Sequence, residues 1–560
     1  MDIKKFLESE YSYENFKKFI FDKFYGFEEN NIDYEEPDTN IEQKHILKYK
    51  FMGSCQLDDK KEIGFFEVIT TEKTDIENNR VSLGNILKNK ASNELLDSAI
   101  AVFYNPNNPS VWRLSFIKFS YDENDKQQVS NLKRFTYVLG KNIPIKTAYN
   151  QLKNLKYPSL IELEEAFSVD KVTKEFFINY KDLYFKLVKD LTVVNQKNIT
   201  QQEEKILEDN KQVSFYIKKL LGRIVFLYFV QKKGWLNSDR KFLSNLFYNF
   251  TKENPNINFY DEILEDLFFN ALNTKRDNDK INLGGNEYEI PYLNGGLFEE
   301  DEYDKTDLTI TNENLKQVLE LFDSYNFTVI EDTPHDSEIA IDPEMLGRVF
   351  EDLLEDRKEK GAFYTPREIV HYMCQQSIIN YLLNFYGEDN LEDIKSLVIE
   401  DKTDTKFIRN NAKDIKKYLE DIKVLDPAIG SGAFPMGMLH EIVAVLSNLD
   451  KTADIGQLKR KVIENSIYGL DIEHSAVEIA KLRFWLSIVV DEEKPTPLPN
   501  LSYKIMVGNS LIETINGFDP LEISKNNKGN GERIKRMKDK FHSYFNSSSN
   551  EEKNIIKKDI

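Results

Sequence analysis

The sequence predicts an α/β protein in three parts, and three observations carry that prediction. Residues 423–434 read Lys423-Val424-Leu425-Asp426-Pro427-Ala428-Ile429-Gly430-Ser431-Gly432-Ala433-Phe434, a short apolar strand, a glycine-rich turn and the opening of a helix. Apolar runs at 62–69, 99–104 and 112–119 read as strands of a small α/β domain over residues 1–150. Residues 151–335 read as mostly helical, a connector between that domain and a third part at 336–560 that holds the glycine-rich turn.

A chain of 560 residues has room for two or three domains. Hydrophobic residues at 40% and aromatic residues at 12% are enough for real cores, which excludes a disordered scaffold. Cys55 and Cys374 make no disulfide framework and lack metal-site spacing. No stretch approaches 18 apolar residues and the start carries no long apolar core, so the expectation is a cytoplasmic protein with no membrane partner. The net charge of −20 argues against a basic coat over the whole surface. It still leaves room for local basic surface, since residues 523–560 hold 10 Lys/Arg against 5 Asp/Glu.

Taken in order, residues 14–27 form an aromatic-rich helix, followed by the three strands. The connector's most hydrophobic helix is predicted at 215–236, with Gly234 behind Lys232 and Lys233 as its C-cap. Pro291 to Phe298 reads as a tight loop. Asp342-Pro343 starts a helix whose stripe is Leu346, Val349, Phe350, Leu353 and Leu354, and residues 391–423 read as a charged, solvated helical insertion. In the central turn, Gly430 and Gly432 allow the backbone to approach a ligand closely, and Pro435 suits a first helical turn. Ligands of α/β sheets sit beyond the carboxyl ends of strands, near helix N-termini. A dinucleotide fingerprint would need a third glycine where Pro435 stands, and no Gly-Lys-Ser/Thr follows for a P-loop.

Three more blocks accompany the turn: Gly361-Ala362-Phe363-Tyr364-Thr365-Pro366 upstream, then Tyr468-Gly469-Leu470-Asp471-Ile472 and Val507-Gly508-Asn509-Ser510-Leu511. In this order they resemble the S-adenosylmethionine (AdoMet) site of adenine-N6 DNA methyltransferases, specifically the fused type IIG restriction-modification enzymes and related phage-defence methylases. The resemblance covers most of the chain and includes the Lys232-Lys233-Gly234-Trp235 and Leu293-Asn294-Gly295-Gly296-Leu297-Phe298 segments of the connector. It implies a degenerate nuclease-like domain at 1–150, a helical connector at 151–335, and at 336–560 the AdoMet-binding part of a class I, Rossmann-like methyltransferase domain. Its cofactor is AdoMet and its substrate double-stranded DNA.

The resemblance gives each site residue an expected role. The turn from Asp426 through Ala428, Gly430 and Gly432 to Phe434 supplies backbone donors for the methionine carboxylate, and Asp426 engages the ammonium. Asp471 accepts the ribose hydroxyls, Ile472 lies against the adenine and Asn509 pairs with its edge. Phe363, Tyr364 and Thr365 cover the methionine end. Ser475 and Glu478 are expected to form a capping box that starts the helix after Asp471. In the nuclease-like domain Gly64 replaces a metal-binding aspartate and Ile69 a lysine, which leaves Glu67 as a degenerate metal candidate. No metal is expected, and Mg²⁺ enters only if that domain cuts.

Such methyltransferases flip the target adenine out of the duplex and hold its amino group with an Asn/Asp/Ser-Pro-Pro-Tyr/Phe loop. That tetrapeptide is absent from residues 1–560, so no catalytic residue is assigned. The expectation is a chain that methylates only with a second polypeptide supplying the catalytic loop and target recognition. A non-catalytic, AdoMet-sensing or partner-binding defence protein is the alternative.

Overall fold

The computed structural model describes residues 1–560 apart from 31–32, 38–42, 75, 77–90, 122–128, 197–202, 294–295, 301–303, 305–307, 309, 329–335, 344 and 346–364; beyond 512 it describes only 536, 539–540, 543 and 555–556. The protein is α/β, built as two compact units. The first comprises Met1–Tyr180 and Leu319–Asp342, the second Lys181–Val318 and Pro343–Ile560.

The first unit is a seven-stranded mixed sheet in the order β1 (Glu28–Glu29), β2 (Ile46–Gln56), β3 (Glu62–Thr70), β4 (Ser98–Asn105), β5 (Asn108–Tyr121), β6 (Val129–Gly140), β9 (Asp336–Glu338). β3 and β4 pair in parallel, as do β6 and β9, and the other neighbours are antiparallel. β3 and β4 are buried along nearly their whole length, as their continuous apolar runs require. One face packs Phe51, Phe66, Val68, Ala99, Ala101 and Phe103 into a core. The other is covered by α1 (Ile3–Glu8) and α2 (Tyr13–Lys23); the Phe6 ring of α1 meets Trp112 at 5.2 Å, and Phe24, which caps α2, meets Phe65 at 4.9 Å.

In the second unit the long apolar helix, α3 (Glu203–Lys232), begins earlier than the hydrophobic run and ends where Gly234 directs. Gly234 adopts φ +78°, and Trp235 and Gly234 donate to the carbonyls of Val230 and Gln231, a Schellman cap. Arg223 on this helix is buried. Its guanidinium binds both oxygens of Asp304 at 2.7 and 3.0 Å and the carbonyls of Leu297 and Glu299, with Lys219 completing the pair. Burial alone would raise the Asp304 carboxyl, but Arg223 and Lys219 outweigh it and hold it at about 2. The loop through Leu297 is thus fastened to α3 by a charged group whose donors find acceptors.

A short antiparallel hairpin, β7 (Lys280–Leu283) and β8 (Asn286–Glu289), precedes a three-stranded parallel sheet, β10 (Val424–Asp426), β11 (Ile467–Asp471) and β12 (Ile505–Val507), in that order. One face is covered by α7 (Ala433–Leu449), α8 (Ile455–Asn465) and α9 (His474–Asp491), numbered after α4 (Arg367–Tyr386), α5 (Leu391–Ile399) and α6 (Lys406–Asp421). The region 391–423 is helical as expected, yet it is not merely solvated. α5 and α6 bury Ile394, Leu397, Ile408, Ile415 and Leu419 and pack on α7. α9 packs against α3, and Lys233 donates to the Val490 carbonyl at 2.9 Å while Leu498 donates to that of Leu293 at 2.5 Å. The Lys-Lys-Gly-Trp segment therefore ties the end of α3 to α9, and Leu293 ties two connecting segments together. The expected helical stripe at Leu346, Val349, Phe350, Leu353 and Leu354 lies outside the described residues.

Candidate functional site

In the first unit, Glu67 is fully buried on an interior strand, not at a strand edge. Its two carboxylate oxygens accept from the hydroxyls of Tyr11, at 2.6 Å, and Tyr34. Burial first, and then Glu67 through its charge and its hydrogen bonds, raise both phenols, while burial and the Glu67 charge push Tyr104 up to about 12. Gly64 serves the opposite face, where a Cβ would stand 2.6 Å from Leu96 Cδ1 and 3.1 Å from Phe51. A carboxylate at that position would enter apolar core and could not share an ion with Glu67. Lys73 falls in a turn beyond the end of β3. Among the described residues no group of three His, Cys, Asp or Glu side chains could hold a metal.

The second unit gathers its polar groups at the carboxyl edge of the parallel sheet. Asp426 ends β10, Asp471 ends β11, and Asn509 lies two residues beyond β12. The turn between β10 and α7 is fixed by its own hydrogen bonds. Ala428 N–H donates to Asp426 Oδ1 at 3.0 Å, Ile429 N–H to the Leu470 carbonyl at 2.8 Å and Gly432 N–H to the Ile429 carbonyl at 2.8 Å. Gly430 N–H donates to Asp471 Oδ2 at 2.8 Å, and Glu473 N–H to its Oδ1 at 2.9 Å. Gly430 and Gly432 have φ +53° and +87°, values that disfavour a side chain. Ile429 is buried, and its side chain occupies the space above Gly469 that any Cβ there would need.

Thus Asp426, Gly430, Gly432, Asp471 and Asn509 share one edge, with Ala428 exposed and Phe434 half-buried beside them. Ile472 is 73% exposed, so its side chain is open to a ligand face. Asn509 uses its Oδ1 to accept from Leu511 N–H at 3.0 Å. Thr365 is half-buried just ahead of α4, while Phe363 and Tyr364 lie outside the described residues, as does most of the basic segment Lys525–Lys540. The expected capping box does not form. α9 begins at His474 with Glu473 as N-cap, Ser475 Oγ donates to Glu473, and Glu478 pairs with Lys481. Arg483, whose Nη1 donates to Ser431, was not among the expected site residues; a lone arginine inside an apolar helix was its signal.

Burial raises the Asp426 carboxyl above the ordinary aspartate range; the Ala428 N–H opposes this and the Asp471 charge adds to it. A raised folded pKa means that ionising Asp426 favours the unfolded chain, so its contribution to stability falls as pH rises through that pKa. A cationic ligand has the opposite preference. If Asp426 meets the AdoMet ammonium, affinity should drop as pH is lowered through this raised pKa, and Asp426→Asn should flatten that dependence. Calorimetric titration of both proteins against pH is the check.

Residues 400–494 match a family described as the MmeI DNA-methyltransferase domain, and residues 172–345 match a domain of unknown function (DUF7814). A protein of Methanocaldococcus jannaschii, named as a type II restriction enzyme and methyltransferase, is 30% identical over 433 residues. That alignment takes in 70% of this chain and 35% of the relative. The chain is a homologue of restriction-modification methyltransferases. The adenine-specific methyltransferase BrxX of Escherichia coli is 31% identical over 140 residues, 24% of this chain and 11% of that protein. DNA methyltransferase A of Bacillus subtilis is 23% identical over 295 residues, 52% of this chain and 29% of that protein. This methyltransferase homologue therefore spans about a third or less of the length of these relatives. Among solved structures, the type IIL restriction-modification enzyme MmeI in complex with DNA aligns at a TM-score of 0.36 and 17% identity, covering 60% of this chain and 40% of that one.

The MmeI-type match takes in Asp426, Gly430, Gly432, Asp471 and Ile472, and leaves Thr365 and Asn509 outside its bounds. Among the described residues no helix is long and apolar enough to cross a membrane.

Proposed function

We propose that this methyltransferase homologue is the AdoMet-binding portion of a site-specific adenine-N6 DNA methyltransferase of a restriction-modification or phage-defence system. The observation that carries the reading is the carboxyl edge of the parallel sheet. There the turn is held open by Asp471 through Gly430 N–H, and Asp426 stands beside it. Asp471 has two acceptor oxygens with one N–H each, which leaves lone pairs for two ribose hydroxyls. Asp426 offers negative charge to the ammonium and sulfonium, and Ile472 an apolar surface to the adenine. When bound, AdoMet supplies the electrophilic methyl group; the chain's part is to hold and orient it. Calorimetry with AdoMet tests this directly, and absence of binding would overturn it.

The three parts then take their roles: 1–150 a nuclease-like domain that has lost its chemistry, 151–335 a helical connector, 336–560 the cofactor-binding part of a class I methyltransferase domain. Double-stranded DNA is the substrate and a second polypeptide the partner. Leu425, Tyr468, Leu470 and Met506 lie on the sheet face opposite α7 and α9, and Leu425 is 61% exposed. Parallel sheets are ordinarily covered on both faces, and we place the partner's covering layer here. The non-catalytic, AdoMet-sensing reading is favoured only by the absence of the Pro-Pro-aromatic loop from the sequence.

The first unit is expected not to cut DNA, because two tyrosine hydroxyls occupy Glu67 and Gly64 faces apolar core. Incubating the chain with unmethylated plasmid and Mg²⁺ should give no nicking. Cleavage that disappears in Glu67→Ala would refute this.

A further inference from the structure

The turn that enters α7 is gripped at three successive residues, and only one grip is at the ligand edge. Gly430 N–H is held by Asp471. Gly432 lies against α9, where a Cβ would stand 3.3 Å from Ala480 Cβ. Between them Ser431, 1% exposed, presents its carbonyl to Arg483 Nη1 at 2.9 Å, with Ser431 Oγ at 3.4 Å. Arg483 is itself only 5% exposed. Holding a guanidinium there removes most of its hydration, so the bond to the Ser431 carbonyl is charge-assisted and strong.

That bond fixes one peptide plane. The carbonyl of the Ser431–Gly432 peptide is held by Arg483, and its N–H is held by the Ile429 carbonyl. The peptide is planar, so anchoring both ends sets the direction in which the next residues leave. Those residues are Ala433 and Phe434, the first of α7, whose N–H groups have no intrahelical acceptor by position. Pro435 follows and has no N–H to offer. Ala428 and Gly432 already spend theirs within the turn, and Ile429 and Gly430 spend theirs on Leu470 and Asp471 of β11. Ala433 and Phe434 are donors available to a carboxylate, and the Arg483 grip controls their aim.

Resting on the cofactor reading above, we propose that Arg483 is a positioning residue for the amino-acid half of AdoMet. It aims the Ala433 and Phe434 N–H groups at the methionine carboxylate, and it has no part in holding the nucleoside, which falls to Asp471, Ile472 and Asn509.

The test compares two ligands that share the nucleoside: S-adenosylhomocysteine, and methylthioadenosine, which lacks the amino-acid carboxylate and ammonium. Affinities of the 560-residue chain and of Arg483→Met and Arg483→Lys are measured by calorimetry, with thermal unfolding alongside. Arg483→Met should weaken S-adenosylhomocysteine about 10-fold or more while leaving methylthioadenosine within about twofold, and Arg483→Lys should fall between. A merely structural arginine would weaken both ligands alike, and that result, or no change in either, overturns the proposal. Should Arg483→Met not fold, the split between the two ligands in Arg483→Lys decides. Failure of the unaltered chain to bind either ligand would instead reject the cofactor reading, and the proposal with it.

Discussion

Asp471→Ala is expected to weaken AdoMet binding by about 10- to 150-fold, the 1.5–3 kcal/mol typical of hydrogen bonds to a charged group. Three losses add to that figure. The ribose hydroxyls lose their acceptor, and Gly430 N–H loses the oxygen 2.8 Å away that holds the turn at the end of β11. Glu473 N–H is released as well, which frees the entry to α9. Asp471→Asn separates these effects. Its single amide oxygen can serve one of the two backbone donors, while its NH₂ faces the other and repels it, so an intermediate loss is expected. Calorimetry with AdoMet, with thermal unfolding to show that the variants fold, reads the result. Affinity unchanged in Asp471→Ala would remove Asp471 from the site and leave the turn without its proposed ligand.

Much of this edge was legible in the sequence because backbone geometry dictates it. Glycine is favoured at the φ values of Gly430 and Gly432, and Asp426-Pro427 could not continue a strand. The strands at 62–69, 99–104 and 112–119 were legible for a related reason: burial on both faces favours mostly apolar runs, and the few polar side chains buried among them have partners. What escaped were the partners of polar groups. Nothing local to Glu67 announces Tyr11 and Tyr34, which are 56 and 33 residues away. Ser475 and Glu478 had capping-box spacing, but Glu473 took the N-cap because its own N–H was already bound by Asp471. Arg223 and Arg483 sit on heavily buried stretches of α3 and α9, where a charge must find a partner. The sequence signalled that each has one without saying which.

The largest effect is expected in catalysis: residues 1–560 alone should transfer no methyl group to adenine. On the proposed reading the chain's groups hold the donor, while the acceptor needs separate provision. Adenine N6 is a poor nucleophile until acceptors draw density onto it, and a flipped base needs an aromatic surface to replace its lost stacking. Positioning and electrostatic stabilisation each supply several kcal/mol in enzymes, so lacking both should cost many powers of ten in rate. No Pro-Pro-Tyr/Phe loop occurs in the sequence to provide them. Asn509 is no substitute, since its Oδ1 already accepts from Leu511 and the reading assigns its side chain to the cofactor's adenine. A polypeptide that covers Leu425, Tyr468, Leu470 and Met506 would bring such a loop to the carboxyl edge of the same sheet, beside the methyl group. The measurement is incorporation of labelled methyl from AdoMet into an adenine-containing duplex, with and without the product of the downstream gene. Incorporation should require both proteins, and Asp471→Ala in this chain should abolish it. Robust transfer by the chain alone would mean that another part of these 560 residues activates the amine. Binding of AdoMet with no transfer under either condition would favour the sensing role instead.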